Sequence, residues 1–134
     1  VSIERSRAMV GIVLVSHSKS LAEALADYTK MMAPNAHVAP AGGMDDGSFG
    51  TSYEIISAAV ESVSSSDGVA VLMDMGSAVM TTEMVLEDIE DVHVRMVNCP
   101  FVEGAVEGTV LAQSGASLDE LCASLEGIAA VAKF

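Results

Sequence analysis

The chain has no tryptophan, three prolines, two cysteines and only six lysines and arginines among its 134 residues. Against 19 acidic residues and a net charge of −13, those few cations cannot form a stripe that neutralises a phosphate backbone. Nucleic-acid binding is excluded on that ground. The same charge opposes free nucleotides, except at a local site built from backbone amides. It suits a partner with a basic face, and equally plain solubility. Cys99 and Cys122 lack metal-type spacing and read as a reduced intracellular thiol pair. Three scattered histidines without clustered cysteines or carboxylates make no metal site. Apolar runs stop at about six residues, far short of the ~18 needed to span a bilayer. The start, VSIERSRA, has no signal-peptide core, so residues 1–8 read as an extension before Met9 and the chain as soluble and cytoplasmic, away from membranes. GxxxxGK[ST], GxGxxG and GxSxG are all missing, which removes the usual nucleotide, dinucleotide and serine-hydrolase sites.

What is present is an α/β pattern. Hydrophobic residues make up 51% of the chain, enough for one compact domain over residues 9–134. The apolar run Val10–Ser18, VGIVLVSHS, reads as a buried parallel strand. Lys19–Met32 follows as a helix with Leu21, Leu25, Tyr28 and Met32 at helical spacing, stopped by Pro34. Val38–Ala41 is a short strand, and Gly42–Gly50 a Gly- and Asp-rich loop. Thr51 or Ser52 caps a second helix that carries Ile55, Ile56, Ala59, Val60 and Val63. Gly68–Met75 is a second apolar strand, interrupted only by Asp74. A third helix opens at Gly76-Ser77, with Val79, Met80, Met84, Val85, Leu86 and Ile89 available for burial. Val92–Val97 is a weaker strand nearer an edge. Helices over Val102–Gln113 and Leu118–Ala132 complete the chain, the last started by a capping box at Ser117–Glu120. The order βαβαβαβαα implies an open, mainly parallel sheet with helices on both faces. The nine methionines read as core filler.

In such a sheet ligands bind beyond the carboxyl ends of the strands, where His17 and Asp74 both fall. A carboxylate that accepts one imidazole N–H leaves the other ring nitrogen as a nucleophile. Gly76 permits a tight turn, and Ser77 and Ala78 offer backbone amides at a helix start, an arrangement that binds phosphate. Together these residues suit phosphoryl transfer through a phosphohistidine. On residues alone, a structural His17 and an Asp74 that merely caps the third helix stay open as alternatives. Met44, Phe49 and Met75 are candidates for an apolar rim, Met75 equally for the core. His37 and His93 read as surface residues.

Four motifs in order carry a family resemblance: VGIVLVSHS, GTSYEII at Gly50–Ile56, VLMDMGSAVM at Val71–Met80 and PFVEGAVEG at Pro100–Gly108. The chain resembles the DhaM phosphotransferase subunits of bacterial dihydroxyacetone kinases, which are similar to the mannose-type EIIA domains of sugar phosphotransferase systems. The resemblance implies a mannose-type EIIA fold and a homodimer. It implies that His17 accepts a phosphoryl group from phospho-HPr, with Asp74 orienting the ring and Gly76, Ser77 and Ala78 holding phosphate. The recipient would be ADP held on the DhaL subunit, which phosphorylates dihydroxyacetone on DhaK. No cofactor is then expected on this chain. The runner-up is a sugar-transport EIIA domain that donates to an EIIB protein. Some members carry HPr-like and enzyme-I-like regions after this module, and without them a separate phosphocarrier is required. The second helix begins GTS where many relatives have GTD, which would take one charge from a docking contact at Ser52.

Overall fold

The structure, a computed structural model, describes residues 8–134, so all but the last residue of the expected extension 1–8 lies outside the described residues. Four strands form one all-parallel sheet: β1 (Gly11–Ser16), β2 (Val38–Gly42), β3 (Val69–Met73) and β4 (Val94–Met96), in the order β2-β1-β3-β4. Five α-helices connect and cover them: α1 (Lys19–Thr29), α2 (Tyr53–Ser62), α3 (Val79–Asp88), α4 (Phe101–Gln113) and α5 (Leu118–Glu126). The expected α/β architecture is the observed one, and β4 is the edge strand on its side.

Strand alternation divides the core in two. Ile12, Leu14, Ala70 and Leu72 pack with Leu25, Ala105, Leu121 and Leu125 from α1, α4 and α5. Val13, Val15, Val69 and Val71 face the other way and pack with Ile56, Val60 and Val85 from α2 and α3. The result is a sheet between two helical layers, with β1 and β3 buried at its centre.

Several local expectations change. α1 buries Ala22, Leu25, Ala26 and Thr29, whereas Leu21, Tyr28 and Met32 are exposed. The reason is close approach: a Cβ on Gly42 would sit 2.5 Å from the Ser18 carbonyl oxygen and 2.8 Å from Ala22 Cβ, so only a small-residue face fits against β2. α1 also ends at Thr29, whose hydroxyl donates back to the Ala26 carbonyl, before the turns that lead to Pro34. α3 buries Thr82 and Val85 and leaves Met80 and Met84 in solvent. Methionine is therefore not mainly core filler here, since six of the nine are exposed: Met31, Met32, Met44, Met75, Met80 and Met84. α5 stops at Glu126, and a short 3-10 turn, Ile128–Ala130, follows Gly127. Its start keeps the capping box: Ser117 accepts from the Glu120 N–H, and Glu120 accepts from the Ser117 N–H.

Candidate active site

The parallel register aligns the ends of the two central strands. Val15 pairs with Met73, and the Asp74 N–H donates to the Val15 carbonyl at 3.1 Å, so the next residues on both strands face each other. The Asp74 carboxylate receives three donors. The Ser16 hydroxyl reaches Oδ2 at 2.8 Å, the His17 backbone N–H reaches the same oxygen at 3.1 Å, and His17 Nδ1 lies 3.0 Å from Oδ1. Burial pushes the Asp74 carboxyl up, but the hydrogen bonds from His17 and Ser16 outweigh it and hold it below its ordinary value. An ionised carboxylate can only accept, so Nδ1 carries the ring proton and Nε2 keeps its lone pair. The Ser77 hydroxyl is 2.9 Å from Nε2 and donates to it. The imidazole is thus held at both nitrogens. With side-chain exposures of 22% for His17 and 14% for Asp74, the ring faces solvent while its partner is more enclosed.

The glycine-rich loop is tied to this segment at both ends. The Gly43 N–H donates to the Ser16 carbonyl at 3.1 Å and the Gly50 N–H to the His17 carbonyl at 2.9 Å. Between them, Phe49 is 83% exposed and Met44 is also exposed, as is Met75 on the opposite strand end. Met75 is therefore a surface residue and not part of the core. A cleft of about 340 Å³ lined by Asp74, Met75, Gly76, Val79, Asn98 and Cys99 opens beside the carboxylate; His17 lies outside it.

The expected phosphate cradle is partly rearranged. Gly76–Ala78 forms a 3-10 turn that leads directly into α3. The Ala78 N–H donates to the Met75 carbonyl at 3.1 Å and its side chain is fully buried, so Ala78 offers neither group to a ligand. The amides of Gly76 and Ser77 donate to no acceptor among the described residues. Nor is Gly76 required by the turn, because its φ is not positive; a Cβ there would meet nothing within 4 Å. What this glycine provides is open space above the turn.

Ser52 is buried, and its hydroxyl accepts the Ile55 N–H to cap α2, so it is not a free docking contact. The backbone carbonyls of His37 and His93 extend the sheet at its opposite end by accepting from Ile12 and Val69. Cys99 and Cys122 are both free thiols. No cluster of three metal-ligating side chains occurs among the described residues, and none of the helices there is long and apolar enough to cross a membrane. Ser16 carries one sequence signal, a polar residue where strand alternation after Ile12 and Leu14 calls for an apolar one.

A partly exposed imidazole held between a carboxylate and a hydroxyl at the carboxyl end of a parallel sheet has the geometry of a group-transfer site. The family model for EIIA-man, described as PTS system fructose IIA component, matches residues 11–122. A Listeria innocua protein named PEP-dependent dihydroxyacetone kinase 1, phosphoryl donor subunit DhaM, is 36% identical, over 88% of this chain and 94% of its own length. A Lactococcus lactis protein named PTS-dependent dihydroxyacetone kinase, phosphotransferase subunit DhaM, is 33% identical, over 87% of this chain and 93% of its own length. An Escherichia coli protein named as a phosphoryl donor subunit DhaM is 38% identical, over 84% of this chain but only 25% of its own length. Among solved structures, EF1359, a protein of unknown function, superposes with a TM-score of 0.78 at 27% identity, covering 90% of this chain and 95% of the other. The chain belongs to the DhaM branch of the EIIA-man family.

Proposed function

We propose that this chain is the phosphocarrier of a dihydroxyacetone kinase, accepting a phosphoryl group on His17 Nε2 from phospho-HPr and passing it to ADP held on DhaL. DhaL then phosphorylates dihydroxyacetone bound on DhaK. The observation that carries the reading is the line Asp74–His17–Ser77, with Nδ1 3.0 Å from Asp74 Oδ1 and Nε2 2.9 Å from the Ser77 hydroxyl. The Nε2 lone pair attacks phosphorus as the donor's P–N bond breaks, and that bond's electron pair stays on the donor nitrogen. Nδ1 keeps its proton throughout, donated in a hydrogen bond to the Asp74 carboxylate, which stabilises the positive charge that phosphorylation places on the ring. Ser77 turns its hydroxyl from Nε2 to a phosphoryl oxygen, and the amides of Gly76 and Ser77 face the same group. In the second half a β-phosphate oxygen of ADP attacks, the Nε2–P bond breaks, and its electron pair returns to Nε2. Catalysis of this kind is mainly positioning and electrostatics.

The chain itself needs no resident cofactor in this scheme, since ADP stays on the partner. The reading places residues 9–134 as one working domain, in a cytoplasmic homodimer. Both partners must reach His17, which fits its exposed side and the apolar rim of Met44, Phe49 and Met75; such contacts are transient and small. The test is intact mass before and after incubation with phospho-HPr. Wild type gains one acid-labile phosphoryl group and His17→Gln gains none; a His17→Gln protein phosphorylated as fast as wild type refutes the assignment. Discharge by ADP-loaded DhaL rather than by an EIIB protein separates the kinase role from sugar transport.

A further inference from the structure

We propose that Ser16 is a positioning residue that holds Asp74 in register with His17 by means of a hydroxyl whose polarity is fixed. This inference rests on the reading of His17 as the phosphoryl acceptor and extends it by one residue. Ser16 Oγ accepts the Ser18 N–H at 3.0 Å and donates to Asp74 Oδ2 at 2.8 Å. A hydroxyl has one proton, and an ionised carboxylate cannot return one, so the direction of this short chain is set. Oδ2 then holds two donors, the Ser16 hydroxyl and the His17 N–H, and Oδ1 is left for the imidazole. Rotation of the carboxylate about its Cβ–Cγ bond would break both Oδ2 bonds. The ring proton therefore always meets the same oxygen at the same angle.

Burial makes the hydroxyl hard to replace. Ser16 is fully buried at the end of β1, on the face where Ile12 and Leu14 enter the core. A serine there leaves apolar packing unmade, and its hydroxyl links the Ser18 amide to Asp74 by one accepted and one donated hydrogen bond. The same residue's carbonyl accepts the Gly43 N–H, which joins the glycine-rich loop to the strand end. That backbone contact does not depend on the side chain, so Ser16→Ala removes the relay and leaves the loop anchored.

The test is a double-mutant cycle. Single-turnover phosphoryl acceptance from phospho-HPr is measured for wild type, Ser16→Ala, Asp74→Ala and the double variant. Ser16→Ala is expected to slow acceptance about tenfold, the effect of one lost hydrogen bond to a charged group, with half-saturation by phospho-HPr unchanged. In the Asp74→Ala background the same change is expected to add nothing. Equal slowing in both backgrounds, or none in either, overturns the proposal. A second readout needs no transfer: the His17 Nδ1–H signal in nitrogen-edited NMR exchanges with solvent faster in Ser16→Ala than in wild type. An unaltered exchange rate in a variant of normal fold overturns the positioning role by itself. Faster exchange in a protein whose wild type takes no phosphoryl group would sink the phosphocarrier reading and leave the role of Ser16 standing.

Discussion

Replacing Asp74 with asparagine tests the site more sharply than deleting it. The amide has the shape of the carboxylate but only one acceptor oxygen. In the native site Oδ2 accepts from the Ser16 hydroxyl at 2.8 Å and from the His17 N–H at 3.1 Å. Two fixed donors outnumber one ring nitrogen, so the asparagine oxygen goes to that side and its NH₂ faces Nδ1. Nδ1 must then accept, the ring proton moves to Nε2, and the nucleophilic lone pair is lost. Reversing the amide would leave buried donors unpaired, at about 3–5 kcal/mol for the pair together. The reactive ring form therefore falls by about 10²–10⁴-fold, and acceptance slows by the same factor. A wrong tautomer imposed by the same substitution in a serine-protease triad costs about 10⁴, which is the upper end of this range. Asp74→Ala leaves the ring free to adopt either form and is expected to be the less damaging change. The assay is rapid-quench phosphorylation by phospho-HPr, with nitrogen NMR of the His17 ring to read which nitrogen is protonated. An Asp74→Asn ring still protonated at Nδ1, or acceptance at the wild-type rate, refutes the argument.

The stabilising effect of Asp74 has a defined pH window. Its folded pKa is depressed, so the contribution is present above the ordinary carboxylate value of about 4 and is lost as pH falls through the folded value. The difference in urea-unfolding free energy between wild type and Asp74→Asn should shrink below about pH 4; a flat difference contradicts the assignment. Gly42→Ala should cost about 1–3 kcal/mol in denaturant unfolding, because its Cβ would press on the Ser18 carbonyl and Ala22. Gly76→Ala should leave stability unchanged but slow phosphorylation, since its Cβ enters the open space above the turn; a matching loss of stability would refute that view. Burial, with Cys122 and Glu126 nearby, pushes the Cys99 thiol up to about 11. Alkylation of folded protein by iodoacetamide at neutral pH should therefore be about 100-fold slower than after unfolding, and equal rates would refute it.

The strands were readable because they are short apolar runs ended by polar residues, and parallel topology then puts those ends side by side. That is enough to bring His17 and Asp74 together from sequence. Helix faces were less readable, because periodicity shows which residues share a side but not how near the sheet lies. Leu21, Leu25, Tyr28 and Met32 form a plausible apolar stripe, yet of these only Leu25 is buried, because the approach of Gly42 to Ala22 turns the Ala22 and Ala26 side of α1 to the sheet. The exposed Met80 and Met84 on α3 escaped for the same reason, since hydropathy alone cannot distinguish a core side chain from one left at a contact surface. The cradle was half readable: a glycine before a helix suggests free amides, but whether a given N–H is free depends on the turn, and Ala78 closes on Met75. Ser16 marks the deeper limit. Its residue type is visible, whereas the direction of its proton is set only by what surrounds it, an amide on one side and a carboxylate on the other. In the proposed phosphocarrier that direction matters because it settles which oxygen of Asp74 remains for the ring, while the carboxylate, able only to accept, keeps the proton on Nδ1.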